Sequence, residues 1–167
     1  SIDILVINRS DEFLNEYIAP YAERLKFITN FSGSAGKAII LQNEAYLYVD
    51  GRYTFQAKEQ INEEELHTKH LNSFWEDLKE YICKNNSTIA IDPKLHSIKE
   101  IQKIQKYLIN SSSTIKFLHT NIIDTMWINK PTIKYSNIFD HSLKFAGCDR
   151  IEKLDKCSKF LHDKNLD

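Results

Sequence analysis

The sequence predicts an α/β protein, with a mixed, mostly buried β-sheet flanked by helices. Apolar runs of strand length at residues 2–8, 37–41, 45–49, 88–92 and 115–118 alternate with stretches whose apolar residues recur at helical spacing. Only the runs at 37–41 and 45–49 are near enough to form a hairpin, across Gln42-Asn43-Glu44, so most other strands are joined through helices and the sheet is mixed. At 167 residues the chain holds one real core, burying roughly 68 to 70% of the unfolded chain's surface, with no room for a second full domain.

The elements follow in order. Residues 2–8 form a buried strand that ends at Asn8-Arg9-Ser10, and residues 11–17 a short helical turn. Pro20 sits where proline suits a helix start, and Ala22, Leu25, Phe27 and Ile28 supply the apolar stripe of the helix that leads into a glycine loop. After the hairpin, Asp50-Gly51 breaks the second strand. A helix then begins near Arg52, a weak strand spans 66–71, and Ser73 is the expected N-cap of a helix over 73–83. Pro93 closes the strand at 88–92. Ser97 caps an amphipathic helix over 98–109 with Ile98, Ile101, Ile104, Gln105 and Leu108 inward. Beyond Pro131 the texture turns polar and irregular over 132–142, and residues 149–163 read as a helix with Ile151, Leu154, Cys157, Phe160 and Leu161 on one side. The expected division is therefore 1–131 for the domain and 132–167 for a linker and the first helix of a second one.

Composition excludes several classes. Lys and Arg number 22 against 23 Asp and Glu, with no long run of one sign, so no electrostatic grip on nucleic acid or a membrane surface is expected. The three cysteines, Cys83, Cys148 and Cys157, form no C-x-x-C pair, which argues against a disulfide framework or a zinc knuckle and for a reducing, cytoplasmic setting. No apolar segment approaches the roughly 20 residues that a membrane span needs.

Gly33-Ser34-Ala35-Gly36-Lys37 invites a phosphate-binding reading. A Walker-type loop has a further glycine five positions before its Gly-Lys pair and a hydroxyl after it, where this chain has Phe31 and Ala38. The loop also leads into a strand instead of opening a helix. Its structural reading is a tight connection in which Gly33 and Gly36 take positive φ and let the helix end pack close to the next strand. Ser32 or Ser34 as a nucleophile lacks a nearby base. Asp50-Gly51-Arg52-Tyr53 is the better functional candidate, because it lies where a strand end enters a helix, a place where α/β folds present side chains to ligands. The competing reading pairs Asp50 with Arg52 or caps the helix with Asp50, leaving Tyr53 in the core. His67 and His70, three apart in a strand, point to opposite faces and do not converge on a metal. Asp50 and Asp92 each follow a strand but lack a third partner, and Trp75 and Trp127 are expected in the core or at a domain contact.

Four motifs stand in order: Glu23-Arg-Leu-Lys-Phe-Ile-Thr-Asn-Phe-Ser-Gly-Ser-Ala-Gly36; Leu47-Tyr-Val-Asp-Gly-Arg-Tyr53 with Gln56-Ala57; Ile123-Asp-Thr-Met-Trp127 before Pro131; and Leu143-Lys-Phe-Ala-Gly147 with Glu152-Lys153. The first three resemble the amino-terminal, creatinase-type domain of Xaa-Pro aminopeptidases, and the fourth resembles the opening of the second domain in the three-domain members, the aminopeptidase P type. The resemblance implies a ribonuclease H-like fold and a non-catalytic module that shapes an active-site entrance and supports a homodimer. The parent would remove the residue that precedes an N-terminal proline bond. Its C-terminal catalytic domain would hold two divalent metal ions, manganese by this resemblance, so no catalytic or metal-binding residue is expected within this chain. Asp50, Arg52 and Tyr53 are then the substrate-facing candidates, with Arg52 offering a forked donor to the peptide beyond the scissile bond. Gly33, Ser34 and Gly36 form the structural loop, and Trp127 makes a domain contact.

The sequence departs from the family pattern in three ways. It starts at the first strand, whereas the family begins with a helix, which is expected to have been trimmed. Lys130 stands where an arginine is common, so no guanidinium role transfers there. The metal-binding carboxylates and histidine of the catalytic domain are not in this sequence, and the same fold also serves as a peptide- or histone-binding module in homologues that lost catalysis.

Overall fold

A computed structural model describes residues 1–167 except Asn85, Asn110 and Asp167. Its contacts divide into two units, Ser1–Ile133 and Lys134–Asp167. The first unit is built on a six-stranded sheet: β1 (Ile4–Asn8), β2 (Gly36–Ile40), β3 (Ala45–Val49), β4 (His67–His70), β5 (Thr88–Ile91) and β6 (Thr114–Phe117), in the order β4-β3-β2-β1-β5-β6. β1–β2 and β2–β3 pair antiparallel, and the other three pairings are parallel. The helices of this unit are α1 (Arg24–Thr29), α2 (Thr54–Gln60), α3 (Phe74–Lys84), α4 (Ile98–Leu108) and α5 (Ile122–Met126). The mixed α/β architecture expected from the sequence is the one observed.

Strand alternation sorts the apolar residues into two cores. Ile4, Val6, Ile39, Tyr48, Ile89 and Ile91 face Phe74, Leu78, Ile82 and Ile104 of α3 and α4. On the other side Ile7, Ala38, Leu47 and Val49 meet Leu25 of α1, Phe31, Ala57 of α2 and Ile123 of α5. Because both faces are covered, the central strands read as nearly unbroken apolar runs in the sequence.

The structure corrects four local expectations. Residues 11–17 form no helical turn: the Asp11 carboxylate accepts from the amides of Phe13 (3.0 Å) and Asn15 (2.9 Å) and from the Asn15 side chain, a local network that competes with helix and leaves Leu14 at φ 56°. Ser73 is not the cap of α3, since it ends a 3-10 turn at Leu71–Ser73 and its hydroxyl donates to the His70 carbonyl. Ser97 does cap α4 through a reciprocal capping box with Glu100, but the inward stripe is Ile101, Ile104, Tyr107 and Leu108, while Ile98 and Gln105 are exposed. In agreement with the rejection of a phosphate loop, Lys37 is engaged with the Asn8 side chain at 3.0 Å and with the Glu100 carboxylate.

The fourth correction concerns the glycine loop. Neither Gly33 nor Gly36 has positive φ, and the left-handed residue is Asn30 (φ 61°), which closes α1. Space is what excludes a side chain: a Cβ on Gly33 would lie 2.2 Å from Cζ of the buried Phe31, and one on Gly36 would lie 3.0 Å from Leu25 and 3.1 Å from Phe31. The close approach of helix end to strand is thus present, with Phe31 as the reason for it.

The second unit holds α6 (Leu143–Ala146) and α7 (Arg150–Asp163), capped by Ser142 and Asp149 respectively, with Gly147 at φ 79° between them. No residue of α7 is buried. Among the described residues no helix is long and apolar enough to cross a membrane.

Since the buried Phe31 ring must shift to admit a side chain, Gly33→Ala is expected to lower the unfolding free energy by about 1–3 kcal/mol, read from urea midpoints at unchanged m-value.

Candidate functional site

The glycine loop and the turn after β3 come together at one end of the sheet. Asn30 Nδ2 donates to the Gln60 carbonyl (2.9 Å), Gln60 Oε1 accepts from the Ser32 amide (2.9 Å), and Gln56 and Gln60 both donate to the Ser32 hydroxyl. These bonds stitch the loop to α2. Ser34 Oγ lies 2.7 Å from the Tyr53 hydroxyl, and the Tyr53 ring meets Phe31 edge-on at 5.8 Å. Ser34 therefore has a phenol for its neighbour and no base. Its hydrogen bond also draws the Tyr53 hydroxyl below the usual tyrosine range. Tyr53 is half-buried and packs against the second core, between the two alternatives the sequence left open.

Asp50 organises the turn. Its carboxylate accepts from the Arg52 amide (3.0 Å) and from Arg52 Nε (2.8 Å), bonds that hold it below the ordinary carboxylate range. Arg52 is 74% exposed, and its two Nη groups have no hydrogen-bond partner among the described residues. The pair thus fixes the near edge of the guanidinium and turns the outer edge to solvent. Its Cζ lies 5.6 Å from the centroid of the Tyr53 ring. A Cβ on Gly51 would lie 3.2 Å from Nε2 of the exposed His70 ring. His70 itself accepts from the Asn72 amide through Nδ1, while His67 lies against Tyr46.

The sequence reading missed Arg9, which sets this face. Its Nη1 donates to the carbonyls of Glu16 (3.0 Å) and Ser34 (3.1 Å), and its Nη2 to the Glu23 carboxylate (3.0 Å). One buried guanidinium therefore ties the 11–18 loop, the glycine loop and the start of α1 together. A lone arginine after a strand carries no motif, so nothing in the sequence marked it.

A second missed arginine joins α1 to the end of the domain. Arg24, 3% exposed, donates from Nε to Asp124 Oδ1 (2.7 Å) and from Nη2 to Asp124 Oδ2 (3.0 Å), in the forked geometry that arginine and carboxylate favour. Glu12 approaches Nη2 at 3.3 Å, and Lys130 Nζ reaches Asp124 Oδ2 at 2.8 Å. Beside this cluster Trp127 stacks on Phe27, centroids 4.7 Å apart and planes 17° apart. Both rings line a groove of about 470 Å³ with Ile18, Pro20 and Pro131. Among the described residues, no three His, Cys, Asp or Glu side chains form a set that could hold a metal ion, and so no step is assigned to one in this chain.

This fold, and a loop-and-turn face built from the first two sequence motifs, define the class. Residues 1–131 match the Creatinase/Prolidase N-terminal domain, and the chain belongs to that family. It is 30% identical over 167 residues to a probable Xaa-Pro aminopeptidase P from Coccidioides posadasii, covering 98% of this chain and 26% of that protein. The chain thus spans about a quarter of the length of the curated relatives it matches. Among solved structures, X-prolyl aminopeptidase from Caenorhabditis elegans, described as a cytosolic enzyme with a di-nuclear active site, superposes with a TM-score of 0.82 at 23% identity, over 98% of this chain and 27% of that one. The N-terminal domain of the cytoplasmic peptidase PepQ from Mycobacterium tuberculosis superposes at 0.55 with 16% identity, over 75% of this chain and 87% of that one. These two likenesses show the fold.

Burial raises the Asp124 carboxyl, but the hydrogen bonds and charges of Arg24 and Lys130 outweigh it and hold the group below the ordinary aspartate value. A carboxyl depressed in the folded state stabilises fully above its unfolded value of about 3.9, and that stabilisation disappears as pH falls through the folded value. Acid titrations of melting temperature should therefore show a shallower loss below about pH 4 in Asp124→Asn than in the parent chain.

Proposed function

We propose that this chain is the non-catalytic N-terminal domain of a longer, metal-dependent Xaa-Pro aminopeptidase of the aminopeptidase P type. In that protein it shapes the entrance to the active site and supports a homodimer. The parent hydrolyses the bond between an N-terminal residue and a following proline in the cytoplasm. Its two divalent metal ions, proposed as manganese, are held by the C-terminal catalytic domain. Residues 132–167 are then the linker and the first helix of the second domain, in keeping with the separate contact unit from Lys134 onward.

The observation that carries the site assignment is Arg52. Its Nε is pinned by Asp50, its Nη edge is open, and the Tyr53 ring lies 5.6 Å from it. A guanidinium held this way meets a carboxylate or a peptide oxygen without first losing side-chain freedom. Asp50 and Tyr53 serve it, the first by pairing and the second by fixing the turn against Ser34. Trp127 is assigned to a domain contact because it stacks on Phe27 in an open groove where Ile18, Pro20 and Pro131 stand beside Glu23, Lys26 and Asn30.

In the full-length enzyme, Arg52→Ala is expected to lower kcat/KM for an Xaa-Pro peptide by about tenfold or more, as loss of a charged hydrogen bond does, while the melting temperature of the 167-residue chain stays unchanged. Normal turnover together with a less stable domain would make Arg52 structural.

A further inference from the structure

The outer face of α4 carries Lys99, Gln102, Lys103 and Lys106 at spacings of 3, 4 and 7 residues, so all four lie on one side of the helix and, with the half-buried Tyr107 at their margin, line a shallow groove of about 450 Å³. None of the three lysines enters an ion pair among the described residues, whereas Lys37, Lys69, Lys84 and Lys130 all do. The acidic residue of the helix, Glu100, is turned away into its capping box and onto Lys37. Lys103 Nζ rests 4.3 Å above the Trp75 ring, which holds that charge at the seam between α3 and α4. Glu76 of α3, exposed near Tyr107, is the negative group at the margin of the groove.

We infer that this face is a docking surface for an extended acidic segment of a protein partner, with carboxylates on alternate residues meeting Lys99, Lys103 and Lys106. Charge complementarity selects the occupant. The three lysines span about 10.5 Å along the helix axis. Side chains on one face of an extended chain repeat every ~6.8 Å, close to the ~6 Å rise from Lys99 to Lys103, so two or three such carboxylates lie within reach of the flexible lysine stems. The aromatic margin of Trp75 and Tyr107 offers apolar contact to the intervening residues. A nucleic acid is disfavoured, because the stripe is short and the chain as a whole carries a formal charge of −1, which gives no long-range attraction to a polyanion. The inference is independent of the peptidase assignment. Composition hid this surface, since balanced totals say nothing of where like charges gather.

The test uses the 167-residue chain and a fluorescein-labelled hexaglutamate peptide, read by anisotropy at about 20 mM and about 150 mM salt. Replacing all three lysines (Lys99→Gln, Lys103→Gln, Lys106→Gln) should weaken binding about tenfold at low salt, the sum expected for three exposed ion pairs, and the affinity of the parent chain should fall as salt rises. Arginine at the same three positions should retain binding, which separates charge from any packing lost over Trp75. Replacing the exposed Lys26, Lys58 and Lys94 by Gln makes the same change in net charge elsewhere and should leave binding unchanged. Three outcomes would each overturn the inference: no binding by the parent chain, an equal loss in the control triple, or tighter binding of a thymidine decamer than of the peptide.

Discussion

The fold closes on one ion pair around a buried arginine. Arg24 lies almost wholly out of water at the start of α1, and Asp124, 100 residues away in α5, meets it through two parallel hydrogen bonds. A guanidinium removed from water without such a partner costs several kcal/mol, so the segment that carries Asp124 is held where Arg24 needs it. Lys130 and Glu12 complete the charge balance, and the stack of Trp127 on Phe27 covers the adjoining surface. Helix α5 has only five residues and would not persist alone, which means that these contacts order the end of the first unit.

From that pair the candidate site follows by short steps. Glu23, next to Arg24, accepts from Arg9, and Arg9 holds the carbonyls of Glu16 and Ser34. Ser34 meets Tyr53, and Tyr53 belongs to the turn whose first residue, Asp50, pins Arg52. The chain of contacts thus runs from the end of the domain to the exposed guanidinium through buried or half-buried groups. Residues that appear in the sequence as separate motifs become one face because each motif supplies a partner to the next.

Much of this was legible in the sequence where the signal is local. The β2–β3 hairpin follows from two apolar runs and a short gap, and α4 follows from Ser97 as a cap ahead of a helical stripe. Both strand faces are covered, so the runs in β1 and β5 are nearly continuous and easy to see. Other features were hidden for identifiable reasons. Residues 11–17 have helix-compatible side chains, but the Asp11 carboxylate captures amides that a helix would need. The glycines of the loop were read as positive-φ positions, although it is the Phe31 ring, two residues before Gly33, that leaves no space for a side chain. Arg9 and Arg24 act over distances in sequence that no spacing rule covers, and Asp124 was visible only as a letter in a family motif. Lys130, read as a departure from the family pattern, supplies a cation to the same carboxylate.

The central claim is that Arg24 and Asp124 act as a unit that fastens the end of the domain to its glycine-loop helix. A double-mutant cycle in the 167-residue chain, with Arg24→Met, Asp124→Leu and the pair together, measures this directly by urea unfolding. Asp124→Leu should cost about 3 kcal/mol because it leaves the Arg24 charge buried, Arg24→Met should cost less because Asp124 is 25% exposed and keeps Lys130, and the double change should cost less than the sum, with a coupling of about 1–2 kcal/mol. Additivity within about 0.5 kcal/mol would contradict the account, since it would show that the two side chains do not depend on one another.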